Sequence, residues 1–113
     1  MTLKTIFTMA GAVALLAGPA PVARADDTGV ATALHATMRV GSKLCFVDHS
    51  HAGTGSGATR KIAEMQAVNS WAGFTAWEYG TDWAKIGKAV KKSMSCSGAG
   101  GSWTCNLNAT PCK

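Results

Sequence analysis

The sequence lacks the residue patterns on which common enzyme mechanisms depend. Its carboxylates in the folded region are scattered and form no evident pair for acid–base catalysis: Asp48, Glu64, Glu78 and Asp82. Ser50 lies between His49 and His51, but adjacency in sequence does not create the geometry of a catalytic triad. We therefore predict that the protein is not an enzyme, and we expect no cofactor.

Long hydrophobic runs are also missing. Residues 6–16 form an apolar run too short to span a bilayer, preceded by Lys4 and followed by prolines and by Ala23-Arg24-Ala25. This pattern predicts a signal peptide over residues 1–25 and Sec-type export, because no twin-arginine pattern is present. Cleavage would leave 88 of the 113 residues and a net charge of +3, from nine basic and six acidic residues. That charge does not favour specific nucleic-acid binding, and we expect no transmembrane segment after cleavage.

Large aliphatic residues are scarce after residue 25, so the small core would benefit from covalent cross-links. All four cysteines lie in the exported part: Cys45, Cys96, Cys105 and Cys112. An even number of cysteines in a short exported chain predicts disulfides. The spacings of 50, 8 and 6 intervening residues do not match the close pairs typical of a four-thiolate metal site.

The middle of the chain predicts a strand, a turn and a helix. Residues 43–51 have the pattern of a strand, with Cys45, Val47, His49 and His51 on one face. Residues 53–57, GTGSG, favour a flexible turn. A helix is then expected from Arg60, with Thr59 as its N-cap and Gly80 at its end.

Two segments are less defined. Residues 26–41 are compatible with either a short helix or a mobile N-terminal arm. Thr81 or Asp82 could cap a second helix carrying a row of lysines on its outer side: Lys85, Lys88, Lys91 and Lys92. Such a row is typical of a solvated face, with an anionic partner as the alternative.

The C-terminal segment predicts a β-hairpin with Gly100-Gly101 at its turn. In this register Cys96 faces Cys105, and all larger apolar side chains share one face while Ser, Thr and Asn side chains share the other. We favour the disulfides Cys96–Cys105 and Cys45–Cys112. Pairing of Cys45 with Cys96 or Cys105 is the alternative.

Aromatic residues are concentrated in the segment 70–83, which holds five of the eight in the chain. In a small domain these side chains are expected to form the core. We predict an aromatic core of Trp71, Phe74, Trp77, Tyr79, Trp83 and Trp103. The elements together predict one α+β domain over residues 42–113, a two-layer fold with one N-terminal strand, two helices and a C-terminal hairpin.

Three segments, HSHAGTGSGATRK, SWAGFTAWEYGTDW and the tail C…WTC…ATPC, resemble a family of small exported proteobacterial proteins with no established activity. The resemblance covers roughly residues 43–113. It implies a periplasmic or secreted bacterial protein with a cysteine-stapled tail, and it transfers no functional residues.

Two weak candidate sites follow from the pattern. His49 and His51 lie two apart on the predicted strand and could share a metal ion, although two ligands are few. Gly55, Gly57, Thr59, Arg60 and Lys61 could cradle an anion at the helix start, although GTGSGATRK matches neither a Walker A loop nor a dinucleotide fingerprint.

The leading hypothesis is a non-enzymatic exported binding module with a protein or cell-envelope partner. Metal binding and anion binding are the alternatives.

Overall fold

The computed structural model of the chain describes residues 27–113, so the predicted signal peptide lies outside the described residues. The elements in chain order are α1 (Val30–Leu34), β1 (Thr37–Val40), β2 (Lys43–Phe46), β3 (His51–Gly57), α2 (Arg60–Tyr79), β4 (Val90–Ala99) and β5 (Ser102–Thr110). The strands form two antiparallel sheets, β1-β2 and β3-β5-β4. The predicted α+β class with a C-terminal hairpin is confirmed.

The glycine-rich segment is a strand and not the predicted turn. Gly53 and Gly55 lie in β3 and pair with β5, opposite Leu107 and Cys105. A Cβ atom on Gly53 would lie 2.3 Å from the carbonyl oxygen of Ala67, and one on Gly55 would lie 2.2 Å from the Ala67 nitrogen. The glycines are therefore needed because the backbone of α2 packs directly on this strand.

The C-terminal hairpin forms in the predicted register. Cys96 pairs with Cys105 and Ala99 with Ser102, and the Cys96–Cys105 disulfide joins the two strands with a Cα–Cα distance of 4.1 Å. Cys105 and Leu107 are buried under α2, while the polar side chains of the other face are exposed.

A second disulfide joins the two sheets. Cys45 in β2 bonds to Cys112, and Leu44 exchanges two backbone hydrogen bonds of 2.9 Å with Lys113. Both favoured disulfides are thus present. Within residues 26–41, the described part contains the short helix α1, one of the two alternatives. It also contains β1, an unpredicted strand that pairs with β2.

The second helix was predicted wrongly. Only a single 3₁₀ turn forms, at Thr81–Trp83, and Lys91 and Lys92 lie in β4. Strand pairing prevails over helical spacing here because Val90 pairs with Thr110 of β5. The predicted strand over residues 43–51 is likewise divided into β2 and the start of β3, because the chain crosses from one sheet to the other.

The aromatic core is smaller than predicted. Trp71, Tyr79 and Trp83 are fully buried, and Trp103 packs partly buried against the core. Phe74 and Trp77 are instead 48% and 81% exposed. The buried stripe of α2 follows an i, i+4 spacing (Ala63, Ala67, Trp71, Thr75 and Tyr79), which leaves Trp77 on the opposite side. Phe74 flanks the stripe, with its ring centroid 4.9 Å from that of His51. None of the described helices is long and apolar enough to cross a membrane.

Candidate functional site

The three histidines of the chain converge at one end of α2. His35 follows α1, His49 lies between β2 and β3, and His51 is the first residue of β3. The rings of His35 and His49 stack with centroids 4.3 Å apart, and those of His49 and His51 meet edge to face at 4.9 Å. Tyr79 at the end of α2 closes the cluster. We call these four residues the histidine cluster.

The hydrogen bonds of Thr75 determine which nitrogen of His51 carries a proton. The Thr75 hydroxyl donates its only proton to the carbonyl oxygen of Trp71, at 2.8 Å. It must therefore accept from Nδ1–H of His51, which lies 3.0 Å from its Oγ1. Burial, together with neighbouring His49, lowers the pKa of His51 to about 4, so the ring is neutral at pH 7. Its Nε2 then carries a lone pair that can accept a proton or bind a cation.

His49 and Glu78 face this lone pair. Nε2 of His49 lies 3.0 Å from Nε2 of His51, so it must donate the shared proton. Oε2 of Glu78 lies 3.4 Å from the same His51 nitrogen. A carboxylate oxygen and a nitrogen lone pair are both electron donors, so this arrangement favours a cation between them.

Tyr79 orders the outer part of the histidine cluster. Its hydroxyl lies 2.8 Å from Nε2 of His35 and 3.4 Å from Nε2 of His49. Burial, with a smaller contribution from Glu78, raises the pKa of Tyr79 to about 12. The phenol therefore stays protonated at neutral pH and lies within hydrogen-bond distance of both imidazoles.

The histidine cluster borders a surface pocket. Its volume is about 220 Å³, and besides His49 its lining includes Asp48, Ser50, Lys91, Asn108 and Thr110. Lys91 has a φ of 53°, a left-handed conformation that is uncommon for a residue with a side chain. Strained backbone of this kind is often found at functional sites. The pocket gives small ions and molecules a route to His49.

The predicted anion cradle depended on a glycine loop that does not form. Gly55 and Gly57 belong to β3, and only Ala58 and Thr59 separate this strand from α2. The Thr59 hydroxyl already caps the helix by accepting from the Ile62 N–H at 3.2 Å. The Arg60 guanidinium is held by Glu64 at 3.1 Å, one helical turn away. Lys61 is exposed beside them.

Sequence reasoning placed His49 and His51 together but missed His35, Tyr79 and Glu78. His35 reaches the site because β1 pairs with β2, with Thr37 opposite Phe46. A signal for this hairpin was present: Gly41-Ser42 is a two-residue turn between two short apolar segments. Nothing local in the sequence shows that the end of α2 meets them.

Among residues 27–113, no group of three or more His, Cys, Asp and Glu side chains is already arranged to hold a metal ion. Comparisons with protein-family models, with curated proteins and with solved structures gave no match to this chain.

Proposed function

We propose that the protein is a periplasmic or secreted binding module, not an enzyme, and that it binds a divalent transition-metal ion through His49 and His51. Export is supported by the signal-peptide pattern and by two disulfides, which are typical of oxidising compartments. The observation that carries the metal proposal is the approach of two histidine Nε2 atoms to 3.0 Å, where they share a single proton.

The distances suit ligands that share one ion. Two ligands held at about 2.0–2.1 Å from a tetrahedral ion lie roughly 3.3 Å apart. The two Nε2 atoms are 3.0 Å apart, and Glu78 Oε2 is 3.4 Å from His51 Nε2. Only small movements are therefore needed to replace the shared proton of the histidine pair with a metal ion.

The remainder of His51 is already arranged as in a metal ligand. Metal-binding histidines usually donate their other N–H to a fixed acceptor, which sets the tautomer and the ring orientation. Thr75 supplies that acceptor at 3.0 Å. His49 would carry its proton on Nδ1 once its Nε2 binds the ion. Glu78, with its side chain 32% exposed, can rotate to provide a third ligand, and water from the pocket can complete the shell.

The donor set indicates which ions are preferred. All four cysteines are in disulfides, so no thiolate is available. Imidazole with carboxylate and water suits Cu²⁺ and Zn²⁺, and Cu²⁺ binds more tightly at most nitrogen and oxygen sites.

The proposal is tested by titrating the oxidised protein with Cu²⁺ and with Zn²⁺ by calorimetry, and by recording the Cu²⁺ electron paramagnetic resonance spectrum. We expect one ion per chain and hyperfine coupling to two nitrogens. His49→Gln and His51→Gln should each weaken Cu²⁺ binding by at least about 100-fold. Thr75→Val keeps both ligands but removes the acceptor for Nδ1–H, and it should weaken binding by about 10–100-fold.

Asp48→Asn is the matched control because it removes a neighbouring pocket carboxylate but leaves the histidine pair unchanged. It should bind Cu²⁺ like the wild type. Equal binding by the wild type and a His49→Gln/His51→Gln double variant would contradict the proposal, as would a spectrum without nitrogen coupling.

A further inference from the structure

The outward side of α2 is an uncharged surface with large apolar side chains. No charged residue occurs between Glu64 and Glu78, over thirteen consecutive positions. Ile62, Met65, Phe74 and Trp77 are 43%, 56%, 48% and 81% exposed. An exposed tryptophan beside other apolar side chains on a small domain is typical of an interaction surface.

The exposed side chains form two parallel rows along α2. Residues four apart lie on the same side of a helix, and both rows follow that spacing. The first row is Met65, Asn69, Gly73 and Trp77, and the second row is Ile62, Gln66, Ser70 and Phe74. All eight residues are exposed.

The two rows are complementary when a second copy of α2 runs antiparallel to the first. A twofold axis between positions 69 and 70 places the first row of each copy on the second row of the other. The facing pairs are then Met65 with Phe74, Trp77 with Ile62, Gln66 with Gly73, and Asn69 with Ser70. Methionine packs well against aromatic rings, glycine leaves room for glutamine, and the central pair can form a hydrogen bond.

Charge at the ends of the helix agrees with the same alignment. The twofold axis brings Lys61 of one copy near Glu78 of the other, and these two side chains have opposite charges. A groove of about 310 Å³ lies on a different flank of α2, beside Met94 of β4, and no residue of the second row lines it.

We infer that the protein forms a symmetric homodimer in which the outer rows of two antiparallel α2 helices face one another. Because each row of one copy meets the other row of its partner, the face is self-complementary and allows a closed twofold contact rather than an open chain. The contact is small and its centre is polar, so the dimer is expected to dissociate on dilution. It does not depend on metal binding.

Sedimentation velocity of the oxidised protein from about 5 to about 500 μM tests this inference across the usual range of transient association. The wild type should shift from monomer to dimer as the concentration rises. Ile62→Glu and Trp77→Lys should each weaken dimerisation at least about tenfold. The twofold axis repeats the Trp77–Ile62 contact at both ends of the helix pair, so either variant removes it twice. These charges were chosen because Glu near a helix N-terminus and Lys near a C-terminus favour the helix dipole, so the fold is retained.

Mixing the two variants tests the alignment. In an antiparallel pair the mixed dimer has the introduced glutamate opposite the introduced lysine at one end and the native Trp77–Ile62 contact at the other. The mixture should therefore dimerise more tightly than either variant alone. Ser95→Glu, on the exposed opposite face of the sheet, is the control and should dimerise like the wild type.

A wild type that stays monomeric up to about 500 μM would overturn the inference, as would assemblies larger than a dimer. Failure of the mixture to associate better than its components would exclude the antiparallel alignment.

Discussion

The inner and outer faces of α2 differ in how closely they are packed rather than in how apolar they are. Both faces carry large apolar side chains: Trp71 and Tyr79 are buried on the inner face, and Trp77 is exposed on the outer face. The inner face can approach the sheet closely because Gly53 and Gly55 of β3 have no side chains and meet the α2 backbone directly. This close backbone contact therefore decides which face of the helix is buried.

The largest predicted effect comes from adding a side chain to β3 where its backbone contacts the backbone of α2. Gly55→Ala would place a Cβ 2.2 Å from one α2 backbone atom, the Ala67 nitrogen, and 2.3 Å from another, the Ala63 carbonyl oxygen. Backbone cannot move aside as a flexible side chain can, so the helix must separate from β3. We expect the free energy of unfolding to fall by at least about 3 kcal/mol, measured by urea denaturation.

Gly101→Ala is the matched control for this change. A Cβ at Gly101 meets nothing within 4 Å, so its effect should stay within about 1 kcal/mol. If Gly55→Ala were tolerated equally well, close contact between α2 and β3 would not be what buries the inner face.

A second predicted effect concerns the polar end of the same inner face, where His51 meets Thr75. The folded pKa of His51, about 4, is below its ordinary value of 6.5, so protons bind more readily to the unfolded chain. Its neutral form therefore contributes stability that is complete above about pH 6.5 and is lost as the pH falls through about 4. The full loss corresponds to about 3 kcal/mol at 1.36 kcal/mol per pKa unit.

The measurement is the free energy of unfolding from about pH 7 to about pH 3.5, compared with that of His51→Gln. The groups facing His51 are His49, His35 and Glu78, and they remain in both proteins. The variant should lose most of the slope between pH 6.5 and about 4. Parallel curves for the two proteins would show that His51 is not the group responsible.

Sequence periodicity predicted the hairpin well because its information is local. The turn glycines and the alternation around Cys96 and Cys105 together define one register, and the structure has that register. The same alternation placed Cys45 with Cys112 as the remaining pair. A local pattern succeeds where both paired strands lie next to one another in the chain.

The errors occurred where distant segments decide the outcome. GTGSG has the composition of a turn, but it pairs with the distant strand β5 and packs under the backbone of α2. Trp77 has the composition of a core residue, but the buried stripe of α2 passes through Trp71, Thr75 and Tyr79 and leaves Trp77 on the opposite side of the helix. The histidine cluster was half predicted for the same reason: His49 and His51 are near neighbours, whereas Tyr79 arrives from the far end of the helix.

The smallest predicted effect concerns Gly73, on the outer face of α2. Gly73 is exposed in the interior of α2, and a Cβ added there meets nothing within 4 Å. Gly73→Ala should therefore raise the free energy of unfolding of the monomer by about 0.5–1 kcal/mol, because alanine loses less backbone entropy in a helix. In the proposed dimer the added methyl group faces Gln66 of the second copy, so self-association should weaken.

Gly87→Ala is the control, since a Cβ there is also unobstructed but lies outside the helix, and it should change neither monomer stability nor self-association. A gain in monomer stability with weaker association separates the two roles of this face, whereas a loss of monomer stability would mean that position 73 is packed within the monomer.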